Sequence, residues 1–440
     1  MLIPAAVARC MEALEQAGFE AYCVGGCVRD WLLGQEPHDF DLCASATPEE
    51  MKTLFHDQDL VLAGEKHGTV GVVTEEGVVE ITTFRKEGTY ADNRHPDRVE
   101  FVTDIRQDLA RRDFTVNAMA WSPKRGLQDP FGGEQDLKKG ILRCVGDPET
   151  RFREDALRIL RGVRFSVTYN LTPEPETERA MLALTELLDH LARERVYGEF
   201  CGFLPQTNKE QLLKYAPIIT QVIPELKATV GFDQHSPHHK YDLYTHIAQV
   251  VDRVPGDLPL RWAALLHDVG KIPTFTRDET GRGHFYGHAQ AGAEMADEIL
   301  RRLKAPTALR QQAVLLIEQH MTRLMLEKRL LKRYLGRWGR ETVEQLLYLQ
   351  QADMGSKGVP GEEEQEQFEV LWALLKEVEQ ESTCLTRKDL ALTGLDLLSL
   401  GYQGREIGAR LEELLEAVLD ERVKNEKEAL LEYLKRTETS

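Results

Sequence analysis

Apolar residues recur at helical spacing over residues 4–17 and stop at Gly18, which predicts an N-terminal helix. Short apolar runs of strand length follow, bounded by glycine or by polar residues: AYCVGG, FDLCA, GTVGVVT, VVEITTF and RVEFV. Between the first two runs, VRDWLLG predicts one or two helical turns that end at Gly34. The first 140 residues are therefore predicted to form a mixed α/β unit.

Strand patterns become rare from about residue 148, where long segments such as ETERAMLALTELLDHLARERV have helical spacing. The predicted fold class is α+β, with a mixed α/β head followed by an all-helical remainder. The length of 440 residues predicts two or three domains, because single hydrophobic cores stop growing at roughly 250–300 residues.

Hydrophobic residues make up 42% of the chain and charged residues 29%, which is ordinary for a globular protein. The sequence contains neither a run of 18 apolar residues nor a cleavable apolar core near its start, which predicts a cytoplasmic protein that binds no membrane. Seven scattered cysteines without CxxC spacing predict reduced thiols, and neither a disulfide framework nor a zinc site.

The net charge of −18 disfavours a nucleic-acid partner if it is taken over the whole chain. The distribution of charge changes this picture, since residues 301–340 contain eleven Lys or Arg against Glu318 and Glu327. Residues 360–382 and 411–432 are rich in acids. Charge therefore does not exclude RNA as a partner.

The first segment with candidate chemistry is VGGCVRDWLLGQEPHDFDL. Gly25 and Gly26 permit close approach of a triphosphate to the backbone, and the helix that follows offers free N–H groups. Arg29 lies one turn into that helix, within reach of a phosphate. A two-glycine turn is weak evidence by itself, because it is also an ordinary turn between a strand and a helix.

Asp39 and Asp41 strengthen the case. In a strand, these side chains point to the same face, within about 7 Å of each other. Such a pair is unfavourable without a cation, and carboxylate oxygens suit Mg²⁺. The pair predicts a catalytic magnesium site for phosphoryl transfer.

This segment resembles the signature of the polymerase beta nucleotidyltransferase superfamily, specifically of bacterial class II CCA-adding enzymes and poly(A) polymerases. Two further motifs match in order: LARRDFTVNAMAW (109–121) resembles the ribose-recognition motif, and REDALRILRGVRF (153–165) resembles the nucleobase-templating motif. The resemblance implies addition of C and A nucleotides to a tRNA 3′ end, with CTP and ATP as substrates and two magnesium ions in the head.

In the templating motif, Asp155, Arg158, Arg161 and Arg164 are spaced as a stripe along one predicted helix. A carboxylate and a guanidinium can present acceptors and donors to the edge of a base. The resemblance assigns base recognition to Asp155 and Arg158, and nucleotide or phosphate contact to Arg161 and Arg164.

In the ribose motif, the resemblance assigns triphosphate and sugar contacts to Arg112 and Asp113. Asn117 is a further candidate partner, whereas Arg111 could equally be solvated. Glu80, in VVEITTF, is the candidate for a third metal-binding carboxylate. Residues 83–102 match the full-length loop of CCA-adding and A-adding relatives, which argues against CC-only addition and leaves A-only addition open.

The helical part resembles the HD phosphohydrolase superfamily at His246, His267, Asp268 and Asp353. The resemblance implies that these four side chains bind a divalent metal of unknown identity. It also implies hydrolysis of 2′-phosphates or 2′,3′-cyclic phosphates. Lys271 is a candidate phosphate contact, and His288 and His320 are candidates for phosphate contact or a second metal.

These motifs predict four segments: a nucleotidyltransferase head (1–140), a helical neck and body (141–235), an HD domain (236–355) and a tRNA-binding tail (356–440). Residues 323–340 and the helix start at Gly404–Gly408 are candidate RNA contacts. The alternatives are an A-adding enzyme, a poly(A) polymerase, and an HD phosphohydrolase whose head only binds RNA or nucleotide. The sequence predicts no particular protein partner.

Overall fold

The structure is a computed structural model that describes residues 1–37, 39–87, 99–236, 240–324, 326–358, 362–381 and 384–438. The chain divides into two compact units, residues 1–207 with 214–224 and residues 208–213 with 225–440. This division does not test the four predicted segments, which remain a prediction. Across the described residues, no helix combines the length and apolar character needed to cross a bilayer.

The first unit combines short strands and helices. Its strands are β1 (Ala21–Val24), β2 (Asp41–Ala44), β3 (Leu60–Val61), β4 (Thr69–Thr74), β5 (Gly77–Thr83), β6 (Arg85–Glu87), β7 (Val99–Phe101), β8 (Ala120–Ser122), β9 (Gly126–Gln128), β10 (Ile141–Leu142) and β11 (Thr172–Pro173). Its helices are α1 (Ala5–Gln16), α2 (Gly26–Leu32), α3 (Pro48–Leu54), α4 (Ile105–Ala110), α5 (Gly133–Lys138), α6 (Pro148–Glu154), α7 (Leu157–Thr168), α8 (Pro175–Ala183), α9 (Arg193–Phe203), α10 (Lys209–Lys214), within which the division falls, and α11 (Ala216–Val222).

The described residues form a seven-stranded sheet in the order β3-β4-β5-β2-β1-β8-β9. Only the β2–β5 pair of this sheet is parallel among the strands described. In the register, Val24 at the end of β1 pairs with Asp41 at the start of β2 and with Ala120 at the start of β8. The Gly-Gly turn, the aspartates and the ribose motif therefore meet where β1 ends and where β2 and β8 begin, along one side of the sheet.

The interior strand β1 is buried on both faces, which explains its unbroken apolar sequence AYCV. Ala21 and Cys23 pack in one apolar cluster, and Tyr22 and Val24 pack in another. Alternation along a strand sends neighbouring side chains to opposite faces. Burial on both faces fixes the position of the turn that begins at Gly25. All seven cysteines are free, as predicted.

The second unit is helical apart from one short hairpin, β12 (Thr276–Arg277) and β13 (Gly283–His284), among its described residues. Its helices are α12 (Leu243–Arg253), α13 (Leu258–Leu266), α14 (Lys271–Thr274), α15 (His288–Arg302), α16 (Thr307–Gln319), α17 (Lys328–Trp338), α18 (Arg340–Gly355), α19 (Glu362–Glu381), α20 (Gly394–Ser399), α21 (Arg405–Leu419) and α22 (Lys427–Glu438). Asp242 and Asp257 accept backbone N–H bonds at the starts of α12 and α13, which accounts for where these helices begin.

Much of the basic charge of α17 is neutralised within the second unit. Arg329 lies 2.9 Å from Asp420, and Lys332 lies 2.9 Å from Glu421. Arg333 forms an ion pair with Glu416. The sequence placed residues 323–340 among the candidate RNA contacts, but these three cations face carboxylates at the end of α21 or just beyond it. The basic and the acidic segments of the chain thus partly neutralise each other through ion pairs within the second unit.

Helix α17 also contacts the segment before α20 through a glycine. A Cβ atom at Gly336 would clash with the backbone carbonyl of Leu385. The absence of a side chain at this helical position permits the close approach. Gly336 therefore marks a contact that the hydrophobic pattern of the sequence does not reveal.

We expect Gly336→Ala to lower the free energy of unfolding by about 1–3 kcal/mol, because the added methyl group has no room beside a backbone carbonyl. Gly408→Ala, on α21, is the matched control, since a Cβ atom there meets nothing within 4 Å. This control should raise stability by about 0.5–1 kcal/mol through helix propensity. Urea unfolding followed by tryptophan fluorescence gives both values, and equal stability of the two variants would contradict the assignment.

Candidate active site and a second metal-ligand cluster

A cavity of about 640 Å³ lies at the sheet edge of the first unit. Apart from the candidate third carboxylate Glu80, its walls bring together the nucleotide-binding and magnesium-binding residues predicted for the head: Gly25, Gly26, Arg29, Asp39, Asp41, Arg112, Asp113, Asp155, Arg158, Arg161 and Arg164. Segments separated by more than 120 residues in the chain therefore face one space. Their individual roles stay predictions.

The Gly-Gly turn is shaped for close contact. Gly25 has a φ of 71°, which favours glycine, and its N–H donates to the carbonyl of Met119 at 3.2 Å. A Cβ atom at Gly25 would lie 2.9 Å from Nη1 of Arg112. Any larger residue at position 25 would therefore displace the guanidinium that the sequence assigns to the triphosphate.

Asp39 and Asp41 both line the cavity, but the prediction that a strand presents both was wrong for Asp39. Strand β2 begins at Asp41, so Asp39 lies in the preceding connection. Burial raises the pKa of the Asp41 carboxyl, Arg112 opposes this rise and Asp39 adds to it. The carboxylates disfavour each other's charge, and hard oxygen ligands at a cavity wall fit a divalent cation.

The candidate third carboxylate, Glu80, is exposed on β5 and is not part of the cavity wall. It precedes Ile81, which pairs with Leu42 of β2, so it lies one strand away from Asp41. Its role as a metal ligand remains a prediction. The predicted loop is described only at its flanks, β6 and β7, and residues 88–98 lie outside the described residues.

Asp113 is the buried anchor of the ribose motif, with 7% of its surface exposed. Arg161 donates to it through Nε and lies 2.7 Å away through Nη2. Asn117 donates to the other carboxylate oxygen at 3.1 Å. Burial opposes ionisation, but Arg161, Asn117 and the N–H of Phe114 together lower the pKa of Asp113 to about 2. The carboxylate is therefore ionised and held by two motifs.

Arg29 connects the Gly-Gly turn to the same network. Its Nη1 donates to Asn117 at 2.7 Å, and its Nε donates to Asp30 at 2.8 Å. Its Nη2 donates to the hydroxyl of Tyr169, whose ring centroid lies 4.0 Å from the guanidinium carbon. These contacts hold the guanidinium in one orientation at the cavity wall.

The predicted single stripe of Asp155, Arg158, Arg161 and Arg164 is interrupted. Helix α6 ends at Glu154, Asp155 has extended backbone geometry, and α7 begins at Leu157. The Asp155 carboxylate accepts the N–H of Leu157 at 3.0 Å, so it competes with the helical backbone pattern. The three arginines lie on α7, whereas Asp155 lies in the break before that helix. All four residues nevertheless line the same cavity.

The two residues predicted to recognise the base, Asp155 and Arg158, already form hydrogen bonds within the protein. Asp155 accepts a hydrogen bond from Arg195 at 2.9 Å. Arg158 donates to Glu154 at 2.8 Å and to the backbone carbonyl of Arg111 at 2.9 Å. Recognition of a base by either residue therefore requires sharing or exchange of these contacts.

Sequence reasoning missed several residues that shape the cavity. Arg195, on α9, lines the cavity and lies 40 residues after Asp155, so no local spacing in the sequence indicates it. Phe165 also lines the cavity, and the guanidinium of Arg164 lies 4.5 Å from its ring centroid. Asp108 is fully buried and accepts from Arg111 at 3.0 and 2.9 Å and from Arg112 at 3.4 Å. Its position four residues before Arg112 was the available signal.

The second unit brings together His246 on α12, the adjacent residues His267 and Asp268 after α13, and Asp353 on α18. One ligand atom from each lies within 4.8 Å of all the others. Nε2 of His246 lies 3.0 Å from Asp353 and 3.3 Å from Asp268, and Nε2 of His267 lies 3.1 Å from Asp268. All four residues are buried.

The histidine rings are oriented by backbone carbonyls. Nδ1 of His267 lies 2.8 Å from the carbonyl oxygen of Ala264, and Nδ1 of His246 lies 3.4 Å from the carbonyl oxygen of Ser356. Because a carbonyl only accepts, Nδ1 carries the proton and Nε2 faces the carboxylates. Oδ1 of Asp353 lies 3.0 Å from Nε2 of His246, and Nε2 of His267 lies 3.1 Å from Asp268, so the ring nitrogens and the carboxylate oxygens converge on one another. Such oriented imidazoles and carboxylates fit a divalent metal.

His288 and His320 form a second group with Asp268. Their Nε2 atoms lie 3.3 Å apart, and Nε2 of His288 lies 3.7 Å from Asp268. Burial lowers the pKa of His320 to about 4, which keeps its imidazole neutral. Lys271, predicted as a phosphate contact, lies 2.8 Å from Asp268 and donates to Gln234 at 2.9 Å. Its amino group is thus engaged by the cluster.

Two family models match parts of the chain. Residues 21–143 match the Poly A polymerase head domain, and residues 243–354 match the HD domain. The fold and the cavity define a nucleotidyltransferase of the poly(A) polymerase head type that carries an HD domain.

The chain belongs to the family of CCA-adding enzymes. It is 35% identical to the CCA-adding enzyme of Levilactobacillus brevis over 429 residues, which cover 96% of this chain and 95% of that protein. The match with the CCA-adding enzyme of Ligilactobacillus salivarius is 43% identical and spans 61% of that relative's length. The solved structure of the Bacillus stearothermophilus CCA-adding enzyme in complex with CTP has a TM-score of 0.68, 27% identity and full coverage of both chains.

We expect Asp113→Asn to lower the free energy of unfolding at pH 7 by at least about 2 kcal/mol, because the carboxyl pKa falls from 3.8 to about 2 on folding. A lowered folded-state pKa means that the stabilisation is complete above about pH 4 and is lost as the pH falls toward 2. The difference between the two proteins should therefore shrink below pH 4.

Urea unfolding at pH 3, 4, 5 and 7 measures this difference. The control is Asp57→Asn, since the Asp57 side chain is 88% exposed, and it should show little pH-dependent change. A difference for Asp113→Asn that stays constant down to pH 3 would rule out the ion pair as its source.

Proposed function

We propose that the protein adds C, C and A to the 3′ end of tRNA, with CTP and ATP as donors and without a nucleic-acid template. The observation that carries the proposal is the single cavity in which the Gly-Gly turn, the aspartate pair, the ribose motif and the templating motif meet. Membership of the CCA-adding family supports it, and so does the CTP complex of a relative with the same fold.

The reaction is in-line displacement at the α-phosphorus of CTP or ATP by the 3′-hydroxyl of the RNA, with pyrophosphate as the leaving group. Asp39 and Asp41 would hold magnesium, which supplies stabilisation of the attacking and leaving oxygens when bound. At Gly25 the backbone lies beside the Arg112 guanidinium, and both would face the triphosphate. Arg29, held by Asn117 and Tyr169, provides a second positioned cation at the cavity wall.

Base selection is assigned to Asp155 and Arg158. A carboxylate accepts and a guanidinium donates, so the pair can complement the edge of cytosine or adenine. Arg195 and Glu154 hold these side chains at 2.9 and 2.8 Å. A small shift of either partner changes the pattern offered to the base, which provides a physical route from CTP to ATP selection.

The HD cluster is assigned a divalent metal and phosphohydrolase activity toward 2′-phosphates or 2′,3′-cyclic phosphates. His246, His267, Asp268 and Asp353 would hold the metal, and His288 and His320 lie beside it to contact phosphate or a second ion. The tail is assigned to tRNA binding, and the protein to the cytoplasm.

We expect purified protein to add C, C and A in sequence to tRNAs that end before the first C, before the second C and before A. CTP and ATP are supplied separately, and gel electrophoresis counts the added nucleotides. Asp41→Asn should reduce addition by at least about 100-fold, because it removes a metal-binding charge. Asp57→Asn, at an exposed carboxyl outside the cavity, is the matched control.

Failure to incorporate either nucleotide would refute the proposal. Growth with ATP alone would identify an A-adding enzyme, and long homopolymeric A products would identify a poly(A) polymerase.

We expect His267→Ala to lose both bound divalent metal and phosphohydrolase activity while nucleotide addition persists, because the two sites use separate ligand sets. Metal content is measured by plasma mass spectrometry, and hydrolysis with adenosine 2′-monophosphate. Gln290→Ala, at an exposed residue of α15 outside the cluster, is the control. Unchanged metal content and unchanged hydrolysis in His267→Ala would refute the HD assignment.

A further inference from the structure

A second cavity, of about 450 Å³, opens beside the HD cluster in the second unit. His320 and Asp353 of the cluster form part of its wall, so a group bound in the cavity reaches the candidate metal ligands directly. Another part of the wall is Phe368 on α19. This helix lies beyond the residues that match the HD domain, so the cavity is completed by a segment that the family match does not include.

The cavity carries two cations. Lys357 lies 2.7 Å from Asp353 and so stands next to the cluster. Arg323 is exposed at the wall and has no carboxylate partner among the residues that the structure describes. Nearby basic residues such as Arg333 instead pair with acids of the tail. An exposed guanidinium beside a metal-ligand cluster suits the oxygens of a phosphate.

The remaining wall combines apolar side chains with the polar side chains of Thr322, Gln350 and Gln367. Its apolar members include Phe368, which is 6% exposed, and Met321, which is 56% exposed. An inorganic phosphate or pyrophosphate would make no use of these groups, whereas a nucleobase would bury its face against them. The volume is within the range of pockets that enclose small molecules, roughly 300–1,000 Å³. This size suits a small molecule such as a single nucleotide.

We propose that this cavity binds a phosphate ester of a single nucleoside, either free or at an RNA end, with Arg323 on the phosphate and Met321 and Phe368 against the base. The assignment rests on the proposed HD phosphohydrolase function and specifies the part of the substrate beyond the phosphorus. It adds Arg323 as an anion anchor and makes α19 part of the site.

The test compares adenosine 2′-monophosphate with 2-glycerophosphate, a phosphate ester without a base. Binding is measured by calorimetry on metal-stripped full-length protein that carries Arg158→Ala, which removes base recognition in the head. Hydrolysis is measured on protein reloaded with Mg²⁺ or Mn²⁺. The variants are Arg323→Ala and Met321→Ala, both at exposed positions, and Arg337→Ala is an exposed charge-matched control outside the cavity.

Arg323→Ala should weaken binding and raise KM for both esters by about tenfold or more, since a charged contact to phosphate is lost. Met321→Ala should weaken only adenosine 2′-monophosphate, by about threefold to tenfold. Arg337→Ala should match the parent protein. Equal behaviour of Arg323→Ala and Arg337→Ala, or no binding of either ester to the parent, would overturn the proposal. Binding that depends on Arg323 without any hydrolysis would support the cavity and refute the phosphohydrolase function.

Discussion

The nucleotide cavity depends on the buried carboxylate of Asp113, which holds the motifs of the head together. Its two oxygens accept hydrogen bonds from Arg161 of the templating helix and from Asn117 of the ribose motif. Asn117 in turn accepts a hydrogen bond from Arg29, on the helix that follows the Gly-Gly turn. A buried charge is tolerated only when it is fully partnered, so removal of one member leaves the others exposed to the same desolvation cost. The positions of three motifs are thus coupled through one ionised group.

The HD cluster is organised differently, with the imidazole rings of His246 and His267 facing the carboxylates of Asp268 and Asp353. Backbone carbonyls engage Nδ1 of the cluster histidines and leave Nε2 directed inward. His320 stays neutral because burial disfavours its charged form. The metal-ligand geometry is therefore set by helix ends and turns, whose carbonyls are free to accept these bonds. The adjacent cavity places Arg323 and Phe368 where they contact the rest of a substrate.

The charge of the chain takes on a different meaning in the folded molecule. A net charge of −18 is unusual for a protein proposed to bind tRNA. Part of the acidic tail neutralises α17, as the pairs of Arg329 with Asp420 and Lys332 with Glu421 show. The head cavity concentrates arginines around a few aspartates. Local arrangement and not net charge therefore decides where phosphate is attracted.

The sequence by itself determined the reaction class and the family, because the Gly-Gly turn, the aspartate pair and the two later motifs are local patterns in a specific order. It also located the α/β head and the helical remainder, since hydrophobic periodicity reports local structure directly. It could not show that Asp39 precedes β2, that Asp155 lies in a break between two helices, or that Asp155 pairs with Arg195. Those features arise from contacts between residues distant in the chain, where packing and desolvation override local propensity, and only the tertiary structure decides them.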